Sequence, residues 1–307
     1  MYNKIILAGG SGYLGEVLKC YYQNKAKHII ILSRQHAKTS GNISYIKWDG
    51  LTMGDWADQL ENADLLVNLC GKNVNCRYTP ENRKAIIDSR VIPTRLLGQA
   101  VGLLQDPPKV WLQCASATIY RHAEDVQQDE LRGDIGTGFS VDVCNAWEAA
   151  FNELDITPVR KVLLRVSMVM GRNDGVFPRL KNLVLTGLGG HQGTGYQMIS
   201  WIHELDFARA TEWILQHNDM EGVFNITAPV AVNNRKFMKS LRETYGVPFG
   251  LPAPQWLLEL GASIIGTETE LILKSRWVYP QRLLQSGFRF QFQEASHAIH
   301  EIASSRV

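Results

Sequence analysis

Long apolar runs are missing from this sequence. Its apolar stretches are broken within a few residues by Arg, Gln, Asn or Gly, far short of the roughly 20 apolar residues a membrane span requires, so no membrane partner is expected. Runs of like charge are missing too. The 32 basic and 30 acidic side chains leave a formal net charge of +2, and a nucleic-acid binder needs a basic face, so no nucleic-acid partner is expected either. Cysteine is scarce and odd in number: Cys20, Cys70, Cys76, Cys114 and Cys144 are widely spaced and form no Cys-x-x-Cys pair. That argues against a disulfide framework and against a zinc site, and predicts reduced, mostly buried thiols and no metal. The N-terminus passes from Met1-Tyr2-Asn3-Lys4 straight into Ile5-Ile6-Leu7-Ala8 and a glycine cluster, too quickly structured for a secretory signal, so the expected location is the cytoplasm. There is no internal repeat and no low-complexity segment.

What is present suits a large core: 307 residues, of which 45% are hydrophobic. Short apolar runs recur at Lys4 to Ala8, His28 to Leu32, Ser44 to Trp48, Leu65 to Leu69, Val110 to Ala115 and Val162 to Val166. Near-continuous apolarity within each predicts strands covered on both faces, as in a parallel sheet. Helical patterns lie between them. The clearest opens at Thr79-Pro80-Glu81, where an N-cap, a first-turn proline and an acid follow in order; it is expected to run through Ile86, Ile87 and Val91 and to kink at Pro93. The rhythm predicts an α/β fold, a Rossmann doubly wound parallel sheet with a smaller C-terminal α+β lobe. The expected division is a dinucleotide-binding domain over 1–170, to which 196–230 returns, and a smaller substrate or lid lobe from 171–195 and 231–307.

Gly9-Gly10-Ser11-Gly12-Tyr13-Leu14-Gly15 follows the first strand and opens a helix, the context a dinucleotide fingerprint requires. Gly9 permits the tight turn, Gly12 lets the backbone approach a pyrophosphate, and Gly15 allows the helix to pack close to the strand. An ordinary βα turn is the competing reading of the glycines alone. The second strand ends in Ser33-Arg34, where an NAD site would carry an acid. Arg34 can instead hold a 2′-phosphate through charged hydrogen bonds, with Ser33 adding a hydroxyl, so NADP is the expected cofactor; the alternative for Arg34 is a solvated surface side chain.

Taken in order, further pieces make the chain resemble the atypical, epimerase-like branch of the extended short-chain dehydrogenase/reductases, within the NAD-dependent epimerase/dehydratase superfamily and with its C-terminal extension. These are Asn68-Leu69-Cys70-Gly71, Ser89-Arg90 with Thr94, Cys114-Ala115-Ser116-Ala117, Trp147-Glu148, Leu164-Arg165, Gly187-Leu188-Gly189-Gly190, Trp201-Ile202-His203, Phe224-Asn225, and Pro280 to Leu284 with Gly287-Phe288. The resemblance implies an NADP site built from Gly9, Gly12, Tyr13, Leu14 and Gly15, with Ser33 and Arg34 at the 2′-phosphate and Leu69, Cys70 and Gly71 on the adenosine side. It further implies that Arg90 reaches the cofactor from its helix and that Val169 flanks the nicotinamide.

The wider superfamily uses a Tyr-x-x-x-Lys pair one helical turn apart, in which Lys lowers the Tyr pKa for proton exchange with a substrate hydroxyl. Here Phe139 and Val143 stand in those places, so the pair is missing. Tyr21 and Lys25 match the spacing but lie on the first helix, before the second strand. The branch tends to carry a Ser-Ala-x-Gly-Tyr-Tyr-Gly-like segment; in Ser116-Ala117-Thr118-Ile119-Tyr120-Arg121-His122 only the first Tyr is kept. Ser116 and Tyr120 are the candidates for proton transfer, with His122 behind them, and His203 is expected to be structural. Two readings follow: an NADP(H)-binding oxidoreductase or epimerase acting on an unidentified small polar substrate, nucleotide sugars among the candidates, or a non-catalytic NADP(H)-binding redox sensor.

Overall fold

The computed structural model describes residues 1–259 and 270–304; of the expected C-terminal lobe, 260–269 and 305–307 lie outside the described residues. Twelve strands are formed there: β1 (Tyr2–Ala8), β2 (Ala26–Ser33), β3 (Lys38–Ser40), β4 (Ile43–Lys47), β5 (Leu65–Asn68), β6 (Val110–Ser116), β7 (Arg160–Val166), β8 (Met168–Met170), β9 (Met198–Ile199), β10 (Trp201–His203), β11 (Gly222–Ile226) and β12 (Val232–Asn233). Eight make one sheet in the order β11-β7-β6-β5-β1-β2-β4-β3, parallel throughout except for the edge strand β3. The helices that position the site are α1 (Tyr13–Tyr22), α2 (Pro80–Val101), α3 (Phe139–Asn152), α4 (Phe177–Leu185), α5 (Glu204–Gln216) and α6 (Asn234–Thr244).

Alternation along buried strands explains their unbroken apolarity. Ile5, Leu7, Ile29, Ile31, Leu65 and Val67 face one side, where Leu18 and Tyr22 of α1 and Phe207 and Ile214 of α5 cover them. Ile6, Ile30, Leu32 and Leu66 face the other, against Leu97 and Ala100 of α2 and Phe151 of α3. A third apolar cluster, including Met170, Trp201, Phe237, Leu241 and Ile299, joins β8, β10 and α6 to the C-terminal helix Ala295–Ser304.

Thr79 caps α2 by accepting from Asn82 N at 3.3 Å, and the helix runs unbroken through Pro93 to Val101. Pro93 removes one backbone bond, but packing of Leu96, Leu97 and Ala100 on the sheet holds the turn that follows. At the far end of the chain, Asp206 of α5 is fully buried and its carboxylate accepts from Gln291 N (3.0 Å) and Phe292 N (2.8 Å). The aromatic run from Phe288 is thereby laid along α5. No helix of the described residues is long and apolar enough to cross a membrane.

Candidate functional site

Strand order reverses between β1 and β5, and in open α/β sheets the crevice beyond such a switch point takes the ligand. The glycine loop lies there. Gly9 has φ +71°, and a Cβ on it would come within 2.8 Å of Cys70 Sγ. Gly15 is pressed onto Gly10, where a Cβ would sit 2.1 Å from the Gly10 carbonyl oxygen. Gly12 has open space instead, with nothing within 4 Å of where a Cβ would be, and as N-cap of α1 it supplies no side-chain acceptor. The loop is therefore drawn tight beneath, open above, and carries uncapped N–H groups at a helix start. That is a cradle for a pyrophosphate, so the residues present fit a dinucleotide.

Ser33 closes β2, buried, its hydroxyl accepting from Gln35 N at 3.3 Å, while Arg34 beside it is exposed. Arg34 is close enough to Cys70 to act on its thiol electrostatically, although burial dominates and pushes that thiol up to about 12. Asn68 organises this edge: its amide donates to Thr94 Oγ1 and to Gln113 Oε1, both at 3.0 Å, and its carbonyl accepts from Cys70 N at 3.1 Å. Leu69 continues β5, and Gly71 packs directly on the Arg90 guanidinium, where a Cβ would approach to 3.0 Å.

The backbone of Tyr13 opens α1, and its hydroxyl donates to Glu204 Oε2 at 2.7 Å. Val169 lies buried in β8, and Gly175 of the turn that follows packs against the Tyr13 ring.

A cavity of 120 Å³ adjoins the end of β6, with Ser116, Phe139, Val143, Arg90, Cys144 and Trp147 in its wall. The two residues standing for the missing pair thus meet one proton-transfer candidate, Ser116, in one space. A larger, open cavity of 540 Å³ lies beyond, bordered by Arg121, His122, Gly138 and Lys274.

Tyr120, the other proton-transfer candidate, does not line that smaller cavity. It is 1% exposed; its hydroxyl donates to Asn225 Oδ1 (2.9 Å) and accepts from Arg165 Nη1 (3.0 Å). Arg165 also grips Glu148 through two bonds of 2.9 and 2.8 Å. Burial raises the Tyr120 phenol above its ordinary range, with Arg165 opposing. Three motif pairs that carried no chemistry in the sequence, Trp147-Glu148, Leu164-Arg165 and Phe224-Asn225, therefore form one polar knot holding α3, β7 and β11 together. His122 accepts from Ser275 N at 3.1 Å and stands at the outer cavity. His203 is structural: it caps α5 through Leu205 N, meets Glu301 at 2.9 Å and stacks on Phe292. Tyr21 and Lys25 both meet Glu212 of α5, away from the crevice. The sequence reading missed Tyr78 and Lys274, which line these cavities and which no motif singled out.

Residues 5–227 match the model described as the NAD dependent epimerase/dehydratase family, and residues 253–302 match a domain of unknown function, DUF1731. Over 304 residues the chain is 28% identical to Epimerase family protein YfhF of Bacillus subtilis (strain 168), covering 98% of each. It is 28% identical over 305 residues to Epimerase family protein SDR39U1 of Homo sapiens, covering 98% of this chain and 100% of that one. The crystal structure of human epimerase family protein SDR39U1 (isoform 2) with NADPH is similar with a TM-score of 0.87 at 27% identity, over 99% of this chain and 100% of that one.

Proposed function

This chain belongs to the NAD dependent epimerase/dehydratase family, and on that premise we propose that it binds NADP(H) and works as an oxidoreductase or epimerase on a small polar substrate, nucleotide sugars being one class to test. The observation that carries the reading is that the cradle of Gly9, Gly12 and Gly15 follows the carboxyl end of β1 and the cavity of Ser116, Phe139 and Val143 adjoins the carboxyl end of β6, at the same edge of the parallel strands. The NADPH bound in the human relative's crystal structure supports the choice of cofactor, as does Arg34 at the end of β2 with no acid beside it. In this reading the N–H groups of the loop hold the pyrophosphate, Ser33 and Arg34 the 2′-phosphate and Leu69, Cys70 and Gly71 the adenosine side, while Arg90 reaches the cofactor from α2 and Val169 flanks the nicotinamide end. The bound cofactor supplies or accepts a hydride. Ser116 orients the substrate, Phe139 and Val143 exclude water, and the described residues of the smaller lobe, 171–195, 231–259 and 270–304, close over the cavity.

The second reading, a non-catalytic NADP(H) sensor, draws on one observation: Phe139 and Val143 cannot carry a proton, and the Tyr120 hydroxyl is committed to Asn225 and Arg165. Calorimetry with NADPH, followed by absorbance of NADPH during exposure to a panel of carbonyl compounds and nucleotide sugars, tests both. Tight NADPH binding with substrate-dependent loss of absorbance is expected. Binding with no turnover on any compound, together with NADPH-dependent capture of a partner protein, would favour the sensor; no NADPH binding sinks both.

A further inference from the structure

Val74, Ile86, Phe139, Val143 and Trp147 supply much of the wall of the 120 Å³ cavity at the end of β6, and the Tyr78 ring, also in the wall, makes an edge contact with Phe139 at 4.7 Å. Trp147 Nε1 is shut off from solvent, so the indole shows the cavity only carbon. No carboxylate and no side-chain amide borders the space among the described residues. The charged group in the wall is Arg90, which donates Nη1 to the Ile86 carbonyl (2.9 Å) and Nη2 to the Lys72 carbonyl (3.1 Å) and lies over the Trp147 ring at 5.0 Å.

Of the wall's hydroxyls and thiol, some are spent and two are not. Ser140 Oγ donates to Glu270 Oε2 at 3.1 Å, and burial pushes the Cys144 thiol up to about 12, leaving it a neutral, weak donor. Ser116 Oγ accepts from Thr118 N at 3.2 Å, but its proton, like that of the Thr118 hydroxyl, meets no acceptor among the described residues. Two O–H donors suit a carbonyl oxygen, which has two lone pairs. They do not suit a sugar ring: each of its hydroxyls would give up water, and most would find no partner on such a wall. Size points the same way. An apolar cavity of about 150 Å³ takes benzene, so 120 Å³ holds about five or six non-hydrogen atoms, and a hexose with its hydroxyls is far larger.

We infer that the part of the substrate entering this cavity is an aldehyde or ketone carbonyl on a short, branched apolar stem, its oxygen taking the hydroxyl protons of Ser116 and Thr118 and its stem packing on Phe139, Val143 and Trp147. The inference rests on the NADP(H)-dependent reading only in calling that ligand a substrate. Polar groups elsewhere on the substrate stay outside this space, and Arg90 is left to the cofactor.

Calorimetric titration with three ligands of one shape tests this, in cofactor-free protein and in protein given saturating NADP⁺. Isobutyramide presents an unreactive carbonyl on a branched apolar stem, lactamide replaces one of its methyls by a hydroxyl, and isobutyrate replaces its amide by a carboxylate. Isobutyramide binds roughly ten- to a hundredfold tighter than lactamide, the scale of one hydroxyl buried without a partner, and isobutyrate binds no tighter than the amide. Ser116→Ala weakens isobutyramide roughly three- to tenfold, as expected for one neutral hydrogen bond, with circular dichroism unchanged. Val143→Thr, which sets a hydroxyl on the wall at nearly the same shape, narrows the preference over lactamide, and it carries the test if Ser116→Ala does not fold. Lactamide binding as tightly as isobutyramide, isobutyrate binding tighter than either, no affinity for isobutyramide, or affinities unmoved in both variants overturns the inference. NADP⁺ binding without selectivity among the three sinks the inference alone, whereas selectivity in a protein that binds no NADP⁺ sinks the cofactor reading and leaves the cavity's ligand standing.

Discussion

The Tyr13 hydroxyl donates to Glu204 Oε2 at 2.7 Å, tying the first turn of α1 to the first turn of α5. Gly171 lies against both: a Cβ there would fall 1.9 Å from Glu204 Oε2 and 2.0 Å from the Tyr13 hydroxyl. Burial first, and the Glu204 charge after it, raise the Tyr13 phenol far above its usual range, so it stays a donor at every physiological pH. The phosphate loop is therefore braced from below by residues at the start of the second half of the chain. Tyr13→Phe leaves a carboxylate without its donor and is expected to cost about 1 to 3 kcal/mol of stability. Gly171→Ala adds a clash and should cost at least as much, a fall of several degrees in melting temperature. Thermal unfolding followed by circular dichroism checks both, and a Gly171→Ala protein that melts with the wild type would contradict the packing.

Arg34→Ala is expected to weaken NADPH roughly ten- to a hundredfold, the scale of one charged hydrogen bond, and to leave NADH nearly unchanged. Arg34→Asp should invert the preference, since a carboxylate repels the 2′-phosphate and accepts from ribose hydroxyls. The wild-type advantage for NADPH should shrink as salt rises, because Arg34 is exposed. Equal affinities of the wild type for both cofactors by calorimetry would remove Arg34 from the site.

Tyr120→Phe separates structure from chemistry. Its hydroxyl serves Asn225 and Arg165, so its removal should lower stability by about 1 to 3 kcal/mol while any turnover of NADPH keeps its pH profile. Denaturant unfolding and pH-rate profiles measured side by side decide this; loss of a proton-transfer limb with stability intact would return Tyr120 to the chemistry.

Five thiols are free, but their surroundings differ. Cys20 is exposed and Cys76 partly so, while Cys70, Cys114 and Cys144 are buried, each pushed by burial up to about 12. At pH 8 these three hold about one part in ten thousand as thiolate. Titration with a chromogenic disulfide should therefore count two fast thiols in the native protein and five after denaturation. Three or more fast native thiols would show that the buried set is accessible.

Asp64 anchors the N-terminal strand, accepting from Asn3 N and Lys4 N and pairing with Lys109 at 2.6 Å. Burial alone would raise its carboxyl, but the Lys109 ammonium and the two N–H groups outweigh this and hold it below the usual carboxylate range. Because the folded value is depressed, this stabilisation is present above the unfolded value of about 3.9 and is lost as pH falls through the folded one. Asp64→Asn should destabilise the protein at neutral pH and flatten the acid limb of its stability profile; an unchanged limb in urea titrations from pH 7 to 3 would exclude Asp64 from it.

Much of the fold and the cofactor crevice was legible in the sequence because both rest on local pattern. Apolar runs of strand length, helices with capped starts, and glycines between the first strand and the first helix are properties of neighbouring residues, and the absence of Tyr and Lys at Phe139 and Val143 can be counted along one helix. Tertiary structure alone decided the rest. Tyr120 sits one turn past β6 wherever its ring points, and Asn225, from a strand 105 residues later, together with Arg165 holds its hydroxyl in the core. Glu148 and Arg165 read as helix and strand surface until the sheet order sets them face to face. Lys274 belongs to no motif, and it borders the outer cavity only because the C-terminal segment folds back to bring its ammonium onto the Thr118 carbonyl. Charge matching across such distances depends on the packed dielectric between residues remote in sequence, and periodicity and spacing carry no record of it.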